Sequence, residues 1–184
     1  MPTARFHVFA AAAAATVLLT AALPAQADPT AKSGVYLQYE RTPSDTKVAT
    51  VGITAPIQWS STLWGTKVGA YWDLYYSRLA IDSISEHMSL IGLVPSFRLR
   101  LNQGASPWFA DAGVGLTYVD GLYHTDRKEF STRFNFASHL GVGYSFGTNF
   151  QHEVQLRVQH ISNAAIRRPN PGENFVQLRY GYTF

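Results

Sequence analysis

From residue 34 to the C-terminus, apolar and polar positions alternate with a period of two, which sends successive side chains to opposite faces of an extended strand. The last segment shows it most plainly. Val176, Leu178, Tyr180, Tyr182 and Phe184 share one face, while Gln177, Arg179, Gly181 and Thr183 share the other. The same code runs through Val154, Leu156 and Val158 against Glu153, Gln155 and Arg157, and through Pro95, Phe97, Leu99 and Leu101 against Ser96, Arg98 and Arg100. Segments bounded by turn chemistry predict eight strands, approximately 34 to 42, 47 to 57, 66 to 78, 87 to 101, 108 to 119, 133 to 146, 150 to 162 and 174 to 184.

Each segment is close to the ~9 to 11 residues that cross a bilayer at a tilt, and eight strands can close on themselves so that no backbone edge is left unpaired in hydrocarbon. The pattern therefore predicts an all-β fold, an eight-stranded antiparallel transmembrane β-barrel of the outer membrane. A soluble lipocalin-like barrel has the same strand count but turns its apolar face inward. Here the other face carries Arg98, Arg100, Asp111, Glu153, Arg157, Gln177 and Arg179 in mid-strand, which suits a polar, mutually paired lumen. A terminal Phe184 closing a strand also resembles the C-terminal aromatic signature of bacterial outer-membrane proteins. With both ends of the barrel periplasmic, the connections near 43 to 46, 79 to 86, 120 to 132 and 163 to 173 face the exterior. The opposite turns are short, except for the connection Gln58 to Gly65.

Composition adds an address. Arg5, an Ala/Val/Leu stretch from Val8 to Leu23 and Ala25-Gln26-Ala27 predict a signal peptide over residues 1–27, leaving 28–184 as one barrel domain. The chain has no cysteine, so neither a disulfide nor a Cys-based metal site is available to it. Setting Arg5 aside leaves 14 basic residues against 12 acidic ones, too mild a balance for a nucleic-acid partner. His152 and His160 share a face but are separated by roughly 26 Å of strand, so they cannot share a metal. No metal or cofactor is predicted.

Candidate chemistry gathers at the end of the seventh segment. The phase of Gln155 to Asn163 puts His160 and Ser162 on the face of Val154, Leu156 and Val158, which looks at lipid, at the height of the outer leaflet. Polar side chains there carry a depth-dependent cost. Alternate residues of a strand lie about 6.5 to 7 Å apart, within reach of an imidazole that takes a serine proton near neutral pH. A third group should hold the imidazole tautomer. Beyond Glu153 the chain has one acid, Glu173, which hairpin closure would bring near His160.

The run His160-Ile161-Ser162-Asn163-Ala164, followed by Pro169-Asn170-Pro171-Gly172-Glu173-Asn174, resembles the active-site segment of the lipid A 3-O-deacylase (PagL) family. Leader, length, strand count and C-terminal position of the motif agree with that family along the mature chain. The resemblance implies an eight-stranded outer-membrane barrel and a carboxylic ester hydrolase that removes, without a cofactor, the ester-linked 3-hydroxyacyl chain at position 3 of lipid A. It further implies Ser162 as nucleophile, His160 as base and Glu173 as its orienter. Asn163 and Asn170 match polar motif positions suited to stabilising an oxyanion, though Asn170-Pro171-Gly172 is also ordinary turn chemistry. Arg167 and Arg168, in the same loop, suit the phosphates of lipid A or stand as a solvated pair. The chain departs from the family at Ala165, where glycine is often found, and in a loop before the acid that is one residue shorter than in some members.

The implied partners are lipid A or lipopolysaccharide and the outer membrane, with a homodimer left open. A non-catalytic structural or adhesive eight-stranded barrel is the alternative from another class. A pore is disfavoured, because eight strands leave an interior filled by side chains. An acyltransferase on the same lipid would need a donor pocket that the sequence does not show.

Overall fold

A computed structural model describes residues 32–184, so the leader over residues 1–27 lies outside the described residues. Eight strands follow one another in chain order: β1 (Gly34–Arg41), β2 (Thr46–Leu63), β3 (Thr66–Ile81), β4 (Glu86–Arg100), β5 (Trp108–Val119), β6 (Phe134–Phe146), β7 (His152–Ser162) and β8 (Glu173–Thr183). Every neighbour pairs antiparallel, and β1 pairs with β8 from Gly34↔Thr183 to Arg41↔Val176, which closes the barrel.

The direction of the alternation separates the two barrel readings. Leu140 is 70 % exposed and Leu156 54 %, whereas Arg157 is 1 % exposed. The apolar face is outside and the charges are inside, as a bilayer requires and a lipocalin-like barrel does not. Inside, the charges are paired. Asp73 accepts hydrogen bonds from Tyr36 Oη (2.6 Å) and Arg157 Nη1 (3.1 Å), and lies 3.0 Å from Arg179 Nη2. Asp111 accepts from Tyr71 Oη at 2.9 Å, and Arg98 bridges Asp111 and Glu153.

Two features depart from the sequence reading. The stretch from Gln58 to Gly65, expected as a connection, is mostly strand: β2 runs on to Leu63 and turns through Trp64 and Gly65, both at positive φ. Its alternation is broken because a bulge shifts the register between Ile57↔Ala70 and Ser60↔Gly69, and a period-two search ends at such a slip. The lumen, expected to be polar and mutually paired, is apolar at one end. Val48, Leu79, Ile81, Met88, Leu90, Val119, Ile161 and Phe175 are buried there and pack with Tyr123 and Phe130 from the connection between β5 and β6. That connection folds back on itself through Phe130 N–H to Tyr123 O (2.8 Å) and Thr125 N–H to Lys128 O (2.8 Å). It thereby caps the barrel beside the C-terminal end of β7.

Candidate active site

β7 presents its even-numbered residues outward, so Val154, Leu156 and Val158 are exposed while Gln155, Arg157 and Gln159 are buried. His160 and Ser162 continue the outward row and are half-buried at its end. Their flanks are Ser138 and Phe136 of β6, paired with His160 and Ser162 respectively. A polar pair therefore continues the apolar outward row of Val154, Leu156 and Val158, as its phase predicts.

Across the other edge, β8 pairs Asn174 with His160 and Glu173 with Ile161. The His160 Nδ1 lies 2.8 Å from Asn174 Oδ1. An amide oxygen only accepts, so Nδ1 carries the proton and Nε2 is left with a lone pair facing outward from that bond. The ring leans over Gly172, where an added Cβ would sit 2.6 Å from Cε1 and 3.0 Å from Nε2. Extending the β7–β8 register by one step brings Gly172 level with Ser162, so the ring edge that lies over Gly172 is on the serine's side of His160. Among the described residues the Ser162 hydroxyl has no hydrogen-bond partner. His160 and Ser162 are thus brought together on one face without a direct bond between them.

Glu173 does not reach His160. Its side chain points into the lumen, the opposite face, and is fully buried. One oxygen accepts from Lys128 Nζ (2.9 Å) and from the Asn174 N–H (3.0 Å), and the other lies 3.4 Å from Tyr123 Oη. The expectation that closing the hairpin would carry this acid to the imidazole is corrected by the pleat, since the residue on the outward face opposite His160 is Asn174. Burial pushes the Tyr123 phenol up to about 12, which keeps it a donor at neutral pH.

Asn163 and Asn170 hold the loop that follows. The Asn163 N–H donates to Asn170 Oδ1 (3.0 Å), and Asn163 Nδ2 donates to Ser131 Oγ (3.0 Å) and Arg167 O (2.8 Å). Asn163 is therefore a buried tie between two exterior connections, and its Oδ1 has no partner among the described residues. With its oxygen committed to Asn163, Asn170 turns its Nδ2 donors away from that bond. Arg167 and Arg168 have exposed side chains on the same loop.

Two consecutive residues of this loop lie in the left-handed region. Ala164 and Ala165 both have positive φ, 53° and 62°, a region that costs an L-residue roughly 1 kcal/mol and glycine nothing. Ala165→Gly is expected to raise stability by about 1 kcal/mol in urea titrations of the detergent-solubilised barrel. Gly172, with φ of 62°, answers to two constraints, its backbone and the imidazole above it. Gly172→Ala should push the ring off Asn174 while the barrel still folds, as read by a change in the His160 imidazole NMR signals beside an unchanged cooperative unfolding curve. Sequence reasoning missed Asn174, Gly172, Lys128 and Ser131. The first two were readable only with the β7–β8 register, and the other two come from a connection that carries no signal of where it docks.

The family model described as lipid A 3-O-deacylase (PagL) matches residues 47–183, three-quarters of the chain and all of the candidate site. The chain belongs to the PagL family. The lipid A deacylase PagL of Bordetella bronchiseptica is 32% identical over 176 residues, covering 91% of this chain and 92% of its own. The protein of the same name from Pseudomonas aeruginosa is 26% identical over 125 residues, with 66% and 70% covered. The crystal structure of the outer membrane enzyme PagL superposes with a TM-score of 0.71 at 21% identity, covering 82% of this chain and 99% of that one. At that identity the PagL structure speaks for the fold. It agrees with the closed barrel derived above, on whose outward face His160 and Ser162 stand.

Proposed function

We propose that this chain is an outer-membrane lipid A 3-O-deacylase, a carboxylic ester hydrolase whose nucleophile is Ser162 and whose general base is His160. The observation that carries the reading is the half-buried His160 and Ser162 pair at the end of an outward, apolar strand row, in a member of the PagL family. Substrate would come sideways from the outer leaflet, with its acyl chains along Leu140, Phe136, Val158 and Leu156. No channel through the barrel is needed.

In the first step Ser162 Oγ attacks the carbonyl carbon of the ester at position 3 while His160 Nε2 takes the serine proton. The tetrahedral oxyanion needs donors aimed at it, and the Nδ2 group of Asn170 suits that role; Asn163 shapes the loop that carries it. Collapse breaks the bond to the sugar oxygen, which leaves with the proton held by the imidazolium. A 3-hydroxyacyl ester on Ser162 remains. Water, deprotonated by His160, then attacks the acyl carbonyl; the bond to Ser162 Oγ breaks, the imidazolium returns its proton to that oxygen, and the free 3-hydroxy fatty acid leaves. Arg167 and Arg168 are exposed on the loop beside the pair, and their guanidinium groups would pair with lipid A phosphates.

The test is mass spectrometry of lipid A incubated with the detergent-solubilised wild-type protein and with Ser162→Ala. Loss of one 3-hydroxyacyl chain with the wild type alone is the expected result. Intact lipid A with a demonstrably folded wild-type barrel would overturn the reading.

A further inference from the structure

Asn174 lies where a serine hydrolase would be expected to keep a carboxylate. We infer that Asn174 is the positioning residue for His160, so that this site works as Ser162-His160-Asn174 with a neutral orienter, while Glu173 serves the opposite face. The inference rests on the reading of His160 as the general base.

Three observations carry it. The His160 Nδ1 to Asn174 Oδ1 contact, 2.8 Å, joins directly paired residues on the same outward face. Glu173 is displaced by one residue, and so by one face, and both its oxygens are engaged behind the sheet by Lys128, Tyr123 and the Asn174 N–H. Lys128 Nζ also donates to Gly172 O at 2.9 Å. Glu173 and Lys128 together therefore clamp the backbone on both sides of residue 173 and fix the height of Asn174 and Gly172 beneath the ring. The acid steadies the platform, and the amide touches the imidazole.

The chemistry follows from the amide. Asn174 Oδ1 accepts the Nδ1 proton and so selects the tautomer whose Nε2 can take the serine proton, but it brings no negative charge to the imidazolium formed by that transfer. Around His160 the outward face offers Ser138, Phe136 and Leu140 from β6, Val158 and Ser162 from β7, and Gly172, Asn174 and Val176 from β8, none of them charged. Arg167 and Arg168 stand on the loop above, and Glu173 and Lys128 lie behind the sheet. A carboxylate introduced at 174 would be the nearest charge to the ring.

The experiment is imidazole NMR of His160 in micelles, assigned by loss of its signals in His160→Gln, run beside kcat/KM against pH on lipid A. For the wild type the neutral ring should be the Nδ1–H tautomer. Asn174→Asp should raise the His160 titration midpoint and the acidic limb of the rate profile together by about one unit, and raise the plateau rate about tenfold. Asn174→Leu, which keeps the shape without the acceptor, should lose the Nδ1–H preference and at least about tenfold in kcat with little change in KM. Glu173→Gln should leave the His160 midpoint in place. An Nε2–H tautomer in the wild type, an Asn174→Asp midpoint that does not move, or a Glu173→Gln midpoint that falls would each overturn the proposal. Because the NMR arm needs no turnover, an inert wild type with the expected tautomer would sink the deacylase reading, and the catalytic role with it, while still showing that Asn174 holds the imidazole.

Discussion

Ser162→Ala should cut deacylation by about 10⁴-fold or more while leaving the barrel as stable as the wild type. The size follows from what is lost. Without the hydroxyl no acyl-enzyme forms, and the two easier steps revert to one direct attack by water, with only oxyanion donors and substrate binding left to help. The lack of a stability effect follows from the structure, where the half-buried hydroxyl has no hydrogen-bond partner among the described residues. Replacing such a group typically moves stability by no more than about 0.5 kcal/mol. The check is the rate of 3-hydroxy fatty acid release per folded protein, with urea midpoints measured in the same micelles. A rate within tenfold of the wild type would move the nucleophile elsewhere.

The barrel was legible because its code is local. In β6, β7 and β8 each residue's face is set by its neighbour, so ends predicted at 133 to 146, 150 to 162 and 174 to 184 lie within two residues of Phe134–Phe146, His152–Ser162 and Glu173–Thr183. β2 was cut short where that local rule fails, at the bulge after Ile57. The apolar upper lumen was hidden for another reason. Leu79, Ile81, Val119 and Ile161 keep the inward phase, but what makes them a core is Tyr123 and Phe130 folding over them, and the alternation says nothing about where a connection goes.

Within the site the same divide applies. His160 and Ser162 are two residues apart on one strand, and period two alone puts them together. Their partner lies across residues 163–172, a connection too long for its turn type to fix the register. Chemical reasoning asked for an acid and the sequence supplied Glu173, while pairing supplied Asn174. A single residue of register separates a carboxylate under the imidazole from one buried against Lys128, because each step along a strand exchanges faces. The order of the polar residues on β8 is therefore as much a part of the site as their identities.

That dependence on register explains the last and largest effect on stability, Asp73→Ala, expected to cost about 3 to 5 kcal/mol. Asp73 is fully buried at mid-barrel on β3, 3.1 Å from Arg157 of β7 and 3.0 Å from Arg179 of β8, with Tyr36 of β1 donating to it at 2.6 Å. One carboxylate thus ties four strands across the lumen. The Arg179 guanidinium also lies 3.5 Å over the Tyr36 ring, which cannot replace the lost anion. Alanine would leave two guanidinium groups facing each other in a closed interior, and Asp73→Asn, which keeps an acceptor but no charge, should fall between alanine and wild type. Urea unfolding in micelles, followed by tryptophan fluorescence, reads the series. A loss under 1 kcal/mol for alanine would mean that water enters the lumen and solvates the arginines. Arg157 lies five residues below Ser162, about 17 Å along the strand, so protein that stays folded should deacylate at the wild-type rate. A fall in rate per folded molecule would show that the lumenal charges hold the β7–β8 register on which the outward site is built.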